Sequence, residues 1–122
     1  MREISTKLNT SNKKAMETFV KENTWLNGME HGWGNGYVII PKGHKLHGKH
    51  YDDIDVDVHG GLTFSESAKE LDWPEIPENL KDGWVVGFDT AHYADTQSRW
   101  PKSAVQTEVE RLKEQLLEYE CA

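Results

Sequence analysis

The stretch that most constrains the fold is GWVVGFDTAHYAD, Gly83 to Asp95. Trp84 to Phe88 is aromatic and β-branched, which suits a pleated, half-buried surface. It runs straight into a polar tip carrying Asp89, His92 and Asp95. Strands position such tips rigidly, and the loops after them are where binding and catalytic groups concentrate. A period of two puts Trp84, Val86 and Phe88 on one face and Val85, Gly87 and Asp89 on the other. A second segment has the same shape. In IDVDVHGGLTF, Ile54 to Phe64, the apolar Ile54, Val56 and Val58 alternate with Asp55, Asp57 and His59, and the tip is His59-Gly60-Gly61. This predicts a half-buried strand with one wet face. Two strands that both end in histidine-bearing turns suggest one shared site.

Around these strands the chain reads as one domain, residues 1–122, with a β-rich core over about 24–100 and a helix over about 102–120. Asn9 to Ser11 offer helix N-caps, and Ala15, Met16, Phe19 and Val20 follow at helical spacing. A short amphipathic helix ending near Glu22 is therefore expected. Trp25 to Gly36, with four glycines, reads as a loop or irregular strand, and Gly36 to Pro41 as a strand. At the C-terminal end Ser103-x-x-Gln106 matches a capping box. Val105, Val109, Leu112, Leu116 and Tyr119 then recur at heptad a/d spacing. Such a seam packs either on the chain's own sheet or on a twofold mate. Hydrophobic residues make up only 36% of the chain, which favours the mate. Five Trp, four Tyr and three Phe offset part of that shortage. The expected fold is α+β: an antiparallel sheet, a short N-terminal helix and a long C-terminal helix that pairs in a dimer.

Charge and composition exclude several classes. Fourteen basic residues against twenty-one acidic ones give a net charge of −7, which argues against a binder of nucleic-acid polymers. The lone cysteine, Cys121, permits no intrachain disulfide and fits a reducing cytoplasm. MREISTKLNT has no apolar run, so no signal peptide is expected, and no stretch is apolar enough to span a membrane.

Four groups of residues carry candidate chemistry. Lys42, His44, Lys45, His47, Lys49 and His50 crowd one turn and form either a phosphate-binding lobe or a solvated loop balanced by the nearby aspartates. His59-Gly60-Gly61 is either an amide nest for an anion or an ordinary bend. Asp89-Thr90-Ala91-His92 supplies metal ligands, an acid–base pair, or a loop clasp. Phe88 and Arg111 could hold a purine between them, or be a core residue and a surface partner of Glu108 or Glu114. No nucleophile motif, Walker loop or HExxH is present.

The run GYVIIPKGHKLHGKHYDDIDVDVHGGLTF, then GWVVGFDTAH, then ExERLxEQL across Glu108 to Leu116, resembles the phage Thoeris anti-defence protein 1 family. The similarity spans Gly36 to Leu117. It implies a sponge that is not an enzyme. Members of that family sequester cyclic ADP-ribose isomers made by bacterial TIR-domain defence proteins and bind them without degrading them. They act in the cytoplasm of the infected bacterium as dimers that assemble further into hexamers. The resemblance implies that Phe88, Asp89, Thr90, His92, His59, Gly60, Gly61 and Arg111 contact the nucleotide, with no metal and no cofactor. The enzymatic alternative is a metal-dependent hydrolase of a cyclic nucleotide, using Asp57, His59, Asp89 and His92.

Overall fold

The computed structural model describes residues 16–24 and 30–119. Four strands form one antiparallel sheet: β1 Glu17–Glu22, β2 Gly34–Ile40, β3 Phe64–Ser67 and β4 Trp84–Phe88. Their order is β1-β2-β4-β3, so the most apolar strand, β4, lies inside the sheet as its composition predicts. The helix α1, Lys102–Glu118, packs across β1 and β2. The α+β class, the antiparallel sheet and the long C-terminal helix match the sequence reading.

Both faces of the sheet are covered. Val38 and Val86 are register partners, and with Ile40 and Phe88 they meet Val105, Val109, Leu112 and Leu116 of α1. On the opposite face Tyr37, Ile39 and Val85 pack with Ala68, Ile76 and Leu80. There Phe19 stacks on Tyr37 at 5.3 Å and Phe64 on Trp73 at 5.6 Å. Aromatic rings bury large areas. They close a second core that the low aliphatic content alone would leave thin.

Four expectations are corrected. Glu17–Glu22 is an edge strand, not the end of a helix, and residues 9–15 lie outside the described part. The spacing of Met16, Phe19 and Val20 fits either period. Pairing with β2 decides it, sending Met16 and Val20 to the α1 side and Phe19 to the other. The heptad seam covers the chain's own sheet: Val105, Val109, Leu112 and Leu116 are all buried there, so those residues do not face a mate. The capping box does not form; Pro101 is the N-cap and no side chain caps it.

Fourth, Ile54 to Val58 is extended but joins no sheet. Its alternation of buried and exposed residues is as predicted. The helix replaces a neighbouring strand as its hydrogen-bond partner. Gln115 accepts from the Asp57 N–H at 2.7 Å and donates to the Asp57 carbonyl at 2.8 Å. The Tyr119 hydroxyl donates to the Asp55 carbonyl at 2.6 Å. Extended backbone must find partners somewhere, and here they are side chains of α1.

Candidate functional site

The loop after β4 is anchored before it presents any chemistry. Thr90 is fully buried; its hydroxyl donates to the Gly34 carbonyl at 2.7 Å, and its own carbonyl accepts from the Gly32 N–H at 2.7 Å. Asp89 accepts from the Ala91 N–H and from the Thr63 hydroxyl, each at 3.0 Å. Ala94 then takes a φ of +77°. That left-handed conformation costs a residue with a Cβ about 1–2 kcal/mol. Its consequence is a chain reversal that turns Asp95 back onto His92. The Asp95 N–H donates to the His92 carbonyl at 2.9 Å, and Asp95 Oδ2 accepts the His92 N–H at 3.0 Å.

Asp95 is 4% exposed and draws in two imidazoles. His59 Nε2 lies 3.0 Å from each of its oxygens, and His92 Nδ1 lies 3.1 Å from Oδ2. The two rings meet edge to face with centroids 5.3 Å apart. On its other side His59 lies against Trp100 at 4.2 Å. Burial pushes the Asp95 carboxyl up, but hydrogen bonds from His59, the His92 amide and the His92 ring outweigh it, leaving it below the usual carboxylate range. His92 Nε2, the far ring nitrogen, lies 3.5 Å from Asp89 Oδ1. The described residues therefore contain a compact set, His59, His92 and Asp95, whose ligand atoms all lie within 4.8 Å of one another.

The helix supports this set from below. Glu108 accepts the His59 backbone N–H at 2.8 Å and the Arg111 guanidinium at 2.9 Å. Burial raises the Glu108 carboxyl; the Arg111 and His59 hydrogen bonds pull it below its ordinary value. Three elements distant in sequence thus converge, and the two histidine-bearing turns do form one cluster.

Other candidate residues fall elsewhere. Phe88 is 1% exposed and belongs to the α1 core; a Cβ at Gly36 would lie 2.6 Å from its ring. It has no open face for a base, so the core reading corrects the stacking one. Arg111 is a surface partner of Glu108 and, at 3.4 Å, of Asp57. Asp57 pairs with Arg111, and the cluster found among the described residues is His59, His92 and Asp95, so the hydrolase ligand set of Asp57, His59, Asp89 and His92 does not assemble as one cluster. Thr90 is a buried anchor, not a contact surface. Gly60 and Gly61 have φ of +69° and +80°, as a glycine turn requires. The Gly61 N–H is used by the Val58 carbonyl at 2.8 Å, so it does not serve an anion nest. Gly60 instead makes room for a ring: a Cβ there would lie 2.4 Å from His92 Cε1. In the basic turn, His44 accepts from the Leu46 N–H, His47 reaches the Asp82 carbonyl, and His50 accepts from the Asp52 N–H. His44 and His50 thus stabilise local turns and His47 ties the loop to Asp82, so the three do not converge on a lobe.

Sequence reasoning placed Asp95 in the polar tip but gave it no role. Its spacing of three from His92 was the available signal. Trp100 carried no local signal, and the spacing of Glu108 from Arg111 showed that ion pair but not its bond to the distant His59 N–H.

Beside the cluster lies a cavity of about 200 Å³, lined by Asn35, Tyr37, Thr63, Phe64, Phe88, Asp89 and Ala91. Asp89 belongs to both the cavity and the histidine cluster. Fold and site together define a single-sheet α+β domain with an aromatic-walled cavity next to a histidine–carboxylate cluster at the end of β4. Comparison with protein-family models, with curated proteins and with solved structures gave no match.

Proposed function

We propose that this chain is a non-enzymatic binding protein that captures cyclic ADP-ribose-type signalling nucleotides, glyco-cyclic ADP-ribose among them, without cleaving them. In this reading it is a phage protein that blocks Thoeris immunity in the cytoplasm of an infected bacterium. The observation that carries it is the position of Asp89. This carboxylate sits between a slot walled by Tyr37 and Phe64 and the paired imidazoles of His59 and His92. A nucleotide asks for that sequence of surfaces: an apolar wall for the base, an acceptor for ribose hydroxyls and cationic or N–H groups for phosphate. Arg111 adds a guanidinium at the outer edge. Its exposed ion pairs contribute little to stability, so it can exchange Asp57 for a phosphate oxygen.

A cavity of about 200 Å³ is smaller than the roughly 300–1,000 Å³ that encloses a ligand of this size. It holds one end of the nucleotide. A second copy of the chain closing over it would supply the rest, so homodimerisation, with further assembly to hexamers, is part of the proposal. That pairing uses a surface other than the heptad seam.

The test is recovery of the ligand. Protein is incubated with the cyclic nucleotide, separated from free ligand, heat-denatured, and the released compound chromatographed. Stoichiometric release of intact nucleotide is expected. Hydrolysed product, or no retention of any cyclic ADP-ribose isomer, overturns the proposal.

A further inference from the structure

We infer that His59, His92 and Asp95 form a binding site for a divalent transition-metal ion of the Zn²⁺ class. The donor set is two imidazole nitrogens and one carboxylate, which suits zinc and its neighbours rather than calcium or magnesium. The ligand atoms lie within 4.8 Å of one another, and a shared ion at about 2.0–2.1 Å from each would replace the direct imidazole–carboxylate contacts of 3.0 and 3.1 Å.

The geometry around His92 makes the strongest case. Its Nδ1 faces Asp95 at 3.1 Å, and its Nε2 faces Asp89 at 3.5 Å. With an ion on the Asp95 side, Nδ1 ligates it and Nε2–H donates to Asp89. This is the arrangement in which a metal-bound histidine gives its second N–H to an outer carboxylate. Asp89 is in turn fixed by the Thr63 hydroxyl and the Ala91 N–H.

The surroundings are built for the same end. The left-handed Ala94 turns Asp95 inward, and strain of this kind collects at ligand clamps. Gly60 leaves the space that the His92 ring fills, and Trp100 backs the His59 ring. With three protein ligands, one position of a tetrahedral ion stays open for water or for an anionic oxygen. The inference does not depend on the nucleotide proposal, because the ion is titrated alone.

Metal-free protein, prepared by dialysis against a chelator, is titrated with Co²⁺ while its visible absorption is followed, and with Zn²⁺ by calorimetry. Saturable binding of one ion per chain with a tetrahedral Co²⁺ spectrum is expected. His92→Ala abolishes it, and Asp89→Asn weakens it about 10–100-fold. His50→Ala, in the basic turn, leaves the affinity unchanged. Absence of saturable binding, or binding that survives His92→Ala, overturns the assignment. If His92→Ala does not fold, the ring resonances of the native protein replace it. Co²⁺ must then broaden His59 and His92 first, and unaffected rings overturn the site.

Discussion

The side-chain amide of Gln115 grips both backbone polar groups of Asp57, accepting at 2.7 Å and donating at 2.8 Å. Through this contact a helix side chain does the work of a neighbouring strand. It holds the segment that ends in His59, so the histidine cluster depends on a residue that never touches it.

Gln115→Ala removes both bonds and leaves the Asp57 backbone groups to water or to no partner. A loss of about 1–3 kcal/mol of stability is expected. Amide exchange at Asp57 and His59 should accelerate more than exchange in β4. Uniform acceleration across the chain would show that the segment has no local dependence on Gln115.

Gly60→Ala places a methyl 2.4 Å from the His92 ring at a φ of +69°. The backbone alone costs about 1–2 kcal/mol, and the ring must also move. The variant should shift the His92 ring resonances and weaken ligand binding, whereas Gly61→Ala, with open space around it, should move neither ring. Identical spectra for both variants would sink the packing argument.

Two buried side chains are expected to act on stability rather than on assembly. Leu112→Ala should cost about 2–5 kcal/mol, and Phe88→Ala about 3–5 kcal/mol, because each opens a hole in the core between α1 and the sheet. Urea midpoints measure this. If Leu112→Ala leaves the midpoint in place but halves the mass in light scattering, the seam is an intermolecular one after all.

Stability should fall on acidification. The carboxyls of Asp95 and Glu108 are held below their ordinary values in the folded chain. Their contribution is complete above the unfolded carboxylate range, about pH 4, and goes as pH drops through the lower folded values. Denaturation midpoints at a series of pH values should decline through that acid window. In Asp95→Asn the decline should be shallower, and an unchanged slope would remove Asp95 from the account.

Much of the fold was legible in the chain. Runs of β-branched and aromatic residues marked β2 and β4, alternation marked the extended run from Ile54 to Val58, and heptad spacing marked α1. Alternation reports which side chains are buried but not what the backbone pairs with. The Ile54 to Val58 run therefore read as a strand and turned out to lie along a helix. Met16, Phe19 and Val20 fit two periods at once, and the open edge of β2 chose the strand. The candidate site was half legible. His59 and His92 stood out as tips of two apolar runs, whereas Trp100, and Glu108 in its hold on the His59 N–H, reach the site through partners far away in sequence.

By itself the sequence determined the strand character of β2 and β4, the helical period of α1, the polar tips that end two apolar runs, and an acidic, aromatic-rich composition. These follow from local sterics and from the need to keep apolar side chains out of water. Only tertiary structure decided which surface each apolar face would cover. The heptad stripe went to the chain's own sheet, Phe88 went inside with it, and Asp95 was brought between two imidazoles. Burial partners and hydrogen-bond partners are set by the packing of whole elements, and spacing along a chain does not encode that choice.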